Sequence, residues 1–582
     1  MFQGADFGFV GPSYEAPDIL QDAQRSINYY CEVDNTKGAK EPIALLGCPG
    51  MNALFPTGSG PVRGSWMLPG GDSALIVTGN TVYLATIVVR ATPVSLPVFQ
   101  ATAVGTLLTN SGPVTIRDNG VYQNPPGLGG YAVIVDGFSC FYYLLSGVPQ
   151  VVTFTGAVAN TSPTITLPGS LPNGLVIASG GVLTDSSGYI PAATNISSVS
   201  TSLLTITMTH NATNTNATDT ITLTIPAFGQ ITDSGFLGAT HIAFIEGWLI
   251  FNLPDSRTFY TTGPTPYQML FPGSFYALKD SSTDNLICLY ENNRELWLIG
   301  SRTSEVWYNA GAQNFAFQRL PGVGPQIGCE SPFSLTRVGQ VLVWQGANEQ
   351  GQDIIVCQNG YSWERISTHA VEYAISTYTS DEDGIAYGYE DQGHLFYVLT
   401  FPLADVTWVY DFTSKLWHQR ASYDPVAGVF HRHRGNCFLN FADVRMVGDY
   451  ETGWMCQLSH TTYADNYGTG TSPLVAVRRS PHVWSKENRE RVFCSQLQIE
   501  FTPGVGLQTG QGQNPQVMLR WSDDGGFTWS NEHYASIGAA GKTRNRAVWR
   551  ALGHARDRVF DVQIADPVRR DIIGATLYAE VA

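Results

Sequence analysis

The sequence predicts an all-β protein: a β-propeller of six or seven blades, an inserted small β domain and a C-terminal β-sandwich-like domain. Only 14% of the 582 residues are charged, whereas Gly (60), Tyr (27) and Phe (28) are abundant. This composition favours strands and turns over helices. A unit of two apolar strands around a Gly/Asn/Asp turn also recurs, and its later copies are spaced by about 45 to 50 residues, the period of a four-stranded blade.

The recurring unit is clearest at residues 74–84, where two apolar runs flank Gly79 and Asn80. Glycine and asparagine supply the positive φ angles that tight hairpins need, and the flanking residues are typical of strands. Further copies occur at residues 132–145, 241–251, 286–299, 333–344, 385–400 and 429–440. Propellers serve as enzymes, binding hubs and structural rings, so the fold alone does not define the function.

Changes in composition divide the chain into five predicted segments. Between Pro149 and Gln230 there is no Lys or Arg, and Thr alternates with apolar residues, which indicates strands of an inserted domain. The predicted segments are 1–60 (N-terminal strands and turns that form a platform with the C-terminus), 61–148 (first blades), 149–232 (inserted Thr/Ser-rich β domain), 233–473 (remaining blades) and 474–582 (C-terminal β domain).

The charge of the chain is unevenly distributed. The net charge is −16, yet residues 478–582 hold 14 Lys and Arg against 11 Asp and Glu, so the rest of the chain carries −19. Sequence-specific binding to duplex DNA needs Lys and Arg to displace phosphate counterions. The acidic body argues against that function and is compatible with a surface along which DNA slides without adhering.

The nine cysteines are widely spaced and form no C-x-x-C pair, so the sequence predicts neither a zinc site nor a disulfide scaffold. We expect no metal and no cofactor. No run of 18 apolar residues occurs, and acidic residues precede the first basic residue, Arg25. These features predict neither a transmembrane helix nor a signal peptide, and we expect the protein to be made in a cytoplasm.

One motif matches the Asp-box pattern S-x-D-x-G-x-T-W, with Ser522, Asp524, Gly526, Thr528 and Trp529. We expect Asp524 to accept backbone hydrogen bonds across a hairpin turn, Gly526 to relax the backbone and Trp529 to pack at its base. Asp boxes are common in sialidases, so a carbohydrate-binding or carbohydrate-cleaving propeller that acts on host glycan is the alternative function. The box is a structural turn, and we predict no catalytic residue.

A second motif is the basic run His431, Arg432, His433 and Arg434. Two imidazoles two residues apart share one face of a strand, a pattern that metal sites use, but no nearby carboxylate or cysteine completes a ligand set. We therefore predict an exposed basic strand end whose cations face a partner subunit or a phosphate backbone.

Several segments, in their order and spacing, resemble the packaged-DNA stabilisation, or tail hub (nozzle), proteins of short-tailed bacteriophages. The resemblance covers residues 20–150 and 235–465. It is carried by Gln24–Tyr30, Gly47–Gly50, Pro61–Gly64, Arg294–Gly300, Thr303–Tyr308, Ile327–Cys329, Gly393–Tyr397, Trp408–Asp411, Lys415–His418 and Val447–Asp449.

The resemblance implies a structural virion protein and not an enzyme. Such proteins form a ring, usually of six copies, below the portal and the adaptor (connector). The ring extends the DNA channel, helps to retain the packaged genome and anchors fibres, spikes or a needle. It further implies non-specific contact with passing DNA, no membrane insertion, assembly in the host bacterial cytoplasm and a final place in the virion tail. A monomeric propeller that serves as a protein-binding hub is a third hypothesis.

Overall fold

The computed structural model describes residues 3–34, 40–90, 96–121, 129–171, 175–176, 181–200, 204–263, 269–312, 315–350, 354–485 and 490–581. Within these ranges the chain is almost entirely β, and its one α-helix is α1 (His369–Ser376). The predicted all-β class is confirmed. In the same ranges, no helix has the length and apolarity needed to cross a membrane.

The chain begins with six strands. These are β1 (Gln3–Ala5), β2 (Tyr14–Glu15), β3 (Ala23–Ile27), β4 (Tyr29–Val33), β5 (Ile43–Gly47) and β6 (Gly50–Pro56). Blade 1 follows with β7 (Val62–Met67), β8 (Ser73–Thr78), β9 (Thr81–Val89) and β10 (Val98–Thr106). Blade 2 starts with β11 (Thr115–Asp118), β12 (Tyr131–Val135) and β13 (Cys140–Leu144).

Blade 2 is interrupted after its third strand by a closed barrel. The barrel strands are β14 (Gln150–Val158), β15 (Thr164–Thr166), β16 (Val182–Asp185), β17 (Thr194–Val199), β18 (Thr205–Met208) and β19 (Asn216–Ile225). The chain then returns to pair β20 (Phe228–Gln230) with β13, which completes blade 2. Alternate Ile and Leu side chains fill the barrel, among them the fully buried Ile165, Leu183, Ile206 and Leu223. The predicted inserted β domain is confirmed.

Five more blades follow the barrel. Blade 3 comprises β21 (Ile242–Ile245), β22 (Trp248–Asn252), β23 (Thr258–Thr261) and β24 (Tyr276–Leu278), and blade 4 comprises β25 (Leu286–Asn292), β26 (Glu295–Gly300), β27 (Ser304–Asn309) and β28 (Phe317–Arg319). Blade 5 comprises β29 (Gly328–Cys329), β30 (Thr336–Val338), β31 (Val341–Ala347), β32 (Ile354–Asn359) and β33 (Ser362–Arg365).

Blades 6 and 7 complete the propeller. Blade 6 comprises β34 (Ile385–Asp391), β35 (His394–Phe401), β36 (Val406–Asp411) and β37 (Leu416–Asp424), which also pairs with β38 (Val429–Arg432). Blade 7 contains β39 (Gly435–Phe441), β40 (Val444–Asp449) and β41 (Trp454–Ser459), and the same sheet carries β42 (Ala464–Asn466) and β43 (Thr471–Pro473). Seven blades lie within the described ranges, in agreement with the predicted six or seven.

The seven blades close into a ring. The innermost strands are β7, β11, β21, β25, β30, β34 and β39. Each contacts its neighbour, with the turn Pro332–Ser334 between β25 and β30, and β39 contacts β7 to complete the circle. Blade 7 gains its fourth strand from the N-terminal segment, because β6 pairs with β41. Because β6 covers it, the outer edge of β41 is not left unpaired where the chain leaves the ring.

The position of β6 corrects one predicted domain limit. Residues 1–60 were expected to lie outside the blades, but Gly50–Pro56 is a strand of blade 7. The two partners are some 400 residues apart in the chain, and strand periodicity contains no information about such a pairing. The other predicted domain limits stay proposals.

The C-terminal strands form a sandwich with the N-terminal ones. They are β44 (Ala476–Arg479), β45 (Val483–Trp484), β46 (Val492–Phe501), β47 (Gln516–Ser522), β48 (His533–Ser536), β49 (Ala547–Arg550), β50 (His554–Ala555), β51 (Asp557–Ile564) and β52 (Ile572–Val581). One sheet has the order β4-β5-β52-β46-β49, while the other continues from blade 6 through β37-β3-β44-β51-β47-β48. Their facing apolar side chains form one core that includes Leu497, Phe560 and Leu577.

Asn28 joins the three parts of the molecule. Its side chain is 1% exposed, and Nδ2 donates to the backbone oxygens of Ala421 in blade 6 (2.8 Å) and Val475 beside β44 (2.7 Å). Its Oδ1 accepts from the Ala421 backbone nitrogen (3.0 Å), and its backbone oxygen accepts from Cys48 (3.0 Å). The φ of Asn28 is 58°, a left-handed conformation that asparagine tolerates better than most residues.

We predict that Asn28→Ala lowers the free energy of unfolding by about 3–5 kcal/mol, because it leaves three buried backbone groups unpaired and places alanine at positive φ. Urea unfolding followed by tryptophan fluorescence measures the loss. The control is Asn359→Ala at the exposed end of β32, which should cost less than about 0.5 kcal/mol. Equal, small effects of the two substitutions would contradict a joining role for Asn28.

We also predict that the barrel can be removed without loss of the propeller. Gln150 and Ile225 face each other in the barrel's first and last strands, so a short glycine-rich turn in place of residues 151–224 can join them. The shortened chain should be soluble and retain cooperative unfolding, because an inserted domain has its own core. The isolated segment 150–225 should fold alone. Aggregation of the shortened chain would show that the barrel strands support the blades.

Candidate functional site

The axis of the propeller contains a cavity of about 330 Å³, lined by residues of the innermost strands of all seven blades and their flanking loops. Its volume is that of a small-molecule pocket. A DNA duplex cannot enter, since its major groove alone is about 12 Å wide. Any path for DNA must therefore run outside the propeller axis of a single copy.

Arg117 projects into this axial cavity from β11. Its guanidinium carbon lies 4.2 Å from the ring centroid of Trp66 in β7 and 5.5 Å from that of Tyr290 in β25. One guanidinium nitrogen donates to the backbone oxygen of Ile116 (2.8 Å), and the Trp66 indole donates to Asp118 (2.7 Å). Because blades 1, 2 and 4 each supply one of the stacked groups, the cation is held across the axis.

Arg63 in β7 also lines the cavity, but its donors are consumed by the protein. They reach the backbone oxygens of Gly112, Gly79, Thr109 and Ser111 at 2.6–2.9 Å, and the Thr109 hydroxyl at 2.9 Å. Arg63 is 4% exposed, and burial lowers its pKa from the usual value. Its role is to hold the loop between β10 and β11 in place.

The sequence motifs did not single out Arg117, although one signal was available. It is the only Lys or Arg between Arg90 and Arg257. A lone cation within such a long apolar and Thr-rich stretch indicates a specific environment, but nothing in the sequence shows that this environment is the propeller axis.

Of the basic run, Arg432 lines a second cavity of about 420 Å³ next to one mouth of the axial cavity, together with Tyr450, Glu382 and Asp383. The Arg432 guanidinium carbon lies 3.8 Å from the Tyr450 ring centroid. His431 Nδ1 lies 2.7 Å from Asp405 Oδ2. Contact of the half-exposed His431 and half-buried Arg432 with a partner or with DNA stays a prediction.

The expectation of exposure was wrong for His433 and Arg434. They are 3% and 8% exposed, because the chain enters blade 7 at this point. Arg434 makes two hydrogen bonds to Asp449 (2.7 and 3.1 Å) and an ion pair with Glu451 (2.9 Å). Burial lowers the pKa of His433 to about 3, so its ring is neutral at physiological pH. In the described ranges, no three His, Cys, Asp or Glu side chains form a group suited to a metal ion.

The Asp box forms the turn after β47. Asp524 accepts hydrogen bonds from the Ser522 hydroxyl (2.6 Å), the Thr528 backbone nitrogen (2.9 Å) and the Thr528 hydroxyl (2.6 Å). The Gly526 nitrogen donates to Ser522 (2.7 Å), and Gly526 has φ 116°. Hydrogen bonds from Ser522 and Thr528 hold the pKa of Asp524 well below its usual value. These contacts describe a turn whose carboxylate stays ionised.

The remaining groups of the box attach it to the sandwich. Trp529 is only half-buried, and the guanidinium groups of Arg479 and Arg520 each lie 4.9 Å from its ring centroid. Asp523 binds Arg558 through two hydrogen bonds of 2.6 and 2.8 Å. Both carboxylates of the box are therefore engaged in structural contacts.

Two family models match the chain. The model described as "Bacteriophage P22 Gp10, beta-propeller" matches residues 176–463, and "Bacteriophage P22 Gp10, beta-sandwich" matches residues 479–580. The chain belongs to the bacteriophage P22 Gp10 family. As a member it is a phage structural tail protein of the kind that stabilises packaged DNA, and its place is the virion. The predicted family and the predicted propeller with C-terminal sandwich are confirmed.

No curated protein matches the chain. Among solved structures, the N-terminal domain of Nup159 is similar at 7% identity, over 74% of this chain and 98% of that one, with a TM-score of 0.31. The Dos1 propeller is similar at 7% identity, over 72% of this chain and 96% of that one, with a TM-score of 0.30. The phage phi92 endosialidase is similar at 10% identity, over 75% of this chain and 64% of that one, with a TM-score of 0.23. At these scores the similarities carry no argument about Gp10 family function.

We predict that Asp524→Ala loosens the turn after β47 and lowers Tm slightly at neutral pH. Because the folded-state pKa lies below the ordinary 3.8, the stabilisation is present above pH 3.8 and is lost as pH falls through the folded value. The difference in Tm between wild type and variant should therefore shrink in acid. Asp524→Asn, which keeps one acceptor oxygen, is the control. A difference that grows in acid would contradict this account.

Proposed function

We propose that the protein is a subunit of the tail hub, or nozzle, ring below the portal and adaptor, where it extends the DNA channel, retains packaged DNA and anchors fibres or spikes. The observation that carries the proposal is the closed propeller axis. Arg117, Trp66 and Tyr290 meet across it, so one copy offers no passage for DNA. A DNA channel then requires several copies around a shared axis, and a closed ring of identical contacts is the usual solution.

The continuity of the β structure supports a role in bearing load. The second sandwich sheet continues from β37 of blade 6 into β3 and then β44, so no linker separates propeller from sandwich. Arg478 reinforces the connection: it is fully buried and donates to the backbone oxygens of Phe9 (2.7 Å) and Pro12 (2.9 Å) and to Gln24 (2.8 Å). A subunit without a hinge suits a collar that resists internal pressure.

The charge distribution supports contact with DNA that is steric and not adhesive. The chain outside residues 478–582 carries −19, and like charges repel a phosphate backbone. A channel edge formed by this body would confine DNA while allowing it to leave. We assign the protein no catalytic role. The carbohydrate-cleaving alternative receives no support from Asp523 and Asp524, because both carboxylates make structural hydrogen bonds, to Arg558 and to Ser522 and Thr528.

The mass of the purified protein, alone and mixed with the portal–adaptor assembly of its phage, tests the proposal. Native mass spectrometry or light scattering should show a multiple of the monomer mass, formed alone or on the adaptor. A chain without the barrel (residues 151–224) serves as the size control. A strict monomer that ignores the adaptor at every concentration would overturn the ring and favour the binding-hub or glycan-binding hypothesis.

A further inference from the structure

The axial cavity has an unusual charge for this chain. Its lining contains Arg63, Arg117 and Arg337 but no Asp or Glu, although carboxylates outnumber basic residues 48 to 32 in the whole sequence. Carboxylates do occur at the neighbouring mouth, where Glu382 and Asp383 lie. The interior of the cavity therefore carries positive charge that no lining carboxylate neutralises, inside an acidic protein.

Two of these arginines have unused hydrogen-bond donors. Within the described ranges, Arg117 makes one side-chain hydrogen bond, to Ile116, and the exposed Arg337 makes neither a hydrogen bond nor an ion pair through its side chain. A guanidinium group has five N–H donors in a planar fork that matches the oxygens of a phosphate or carboxylate. Arg63, by contrast, is saturated by the loop that it holds.

We propose that the axial cavity of the propeller binds a phosphate group, held by Arg117 and Arg337. The cavity volume of about 330 Å³ admits inorganic phosphate, a mononucleotide or a terminal phosphate of a single strand, and it excludes a duplex. This site goes beyond the nozzle function and does not depend on the ring.

Isothermal titration calorimetry on the full chain, with ionic strength held constant, tests the site. The probes are inorganic phosphate, dAMP and a short single-stranded oligonucleotide with or without a 5′-phosphate. We expect saturable binding of one phosphate per chain. Arg117→Gln and Arg337→Gln should each weaken it by about tenfold or more, because hydrogen bonds between charged groups are lost.

Arg294→Gln is the matched control, since it removes the same charge from an exposed turn of blade 4, where Arg294 pairs with Glu246. It should leave binding unchanged. Should Arg117→Gln fail to fold, Arg337→Gln still decides the question. Absence of saturable phosphate binding by the folded wild type, equal weakening by Arg294→Gln, or binding of acidic peptides alone would overturn the proposal. The relative affinities for dAMP, phosphate and phosphorylated oligonucleotide identify the source of the phosphate.

Discussion

The structure depends on the path of its N-terminal segment, and above all on Asn28. This residue lies between β3, which joins the sandwich sheet, and β4, which joins the opposite sheet. Its amide satisfies backbone groups of Ala421 and Val475 at once. An apolar side chain would leave these groups unpaired in the interior, and a residue that avoids positive φ would not allow the chain to change sheets there. One side chain thus fixes the positions of blade 6, the N-terminal segment and the sandwich.

Buried arginines extend the same principle to neighbouring contacts. Arg478 makes no ion pair among the described residues and instead donates to backbone and polar side-chain oxygens of residues 9–26. Burial lowers its pKa to about 10, so the group remains charged at neutral pH. A planar fork of donors can satisfy several diverging carbonyl groups, which lysine cannot do. The Arg478 side chain from β44 thus holds the N-terminal turns in place through hydrogen bonds, although it lies more than 450 residues later in the chain.

Local patterns were enough to predict the inserted domain and the hairpins of most blades, but the predicted unit at 429–440 was wrong, because β38 pairs with β37 and β39 pairs with β40. Units such as 74–84 and 385–400 contain both the alternation of their strands and the residues of their turns, and β8–β9 and β34–β35 follow them closely. Long-range partners could not be predicted in this way. The pairing of β6 with β41 and the meeting of Arg117 with Tyr290 both depend on closure of the ring, which no sequence window contains.

The same closure explains why the candidate functional features are divided between two places. Ring closure brings residues from all seven blades to one narrow axis, where stacked side chains leave room for a small ligand but not for a duplex. The broad surfaces that can face DNA belong instead to the outside of an acidic body. In the proposed ring, retention of DNA would come from shape and rigidity, because repulsion between like charges opposes adhesion. A hinge between propeller and sandwich would weaken that confinement, and the continuous sheet through β37, β3 and β44 leaves no place for one.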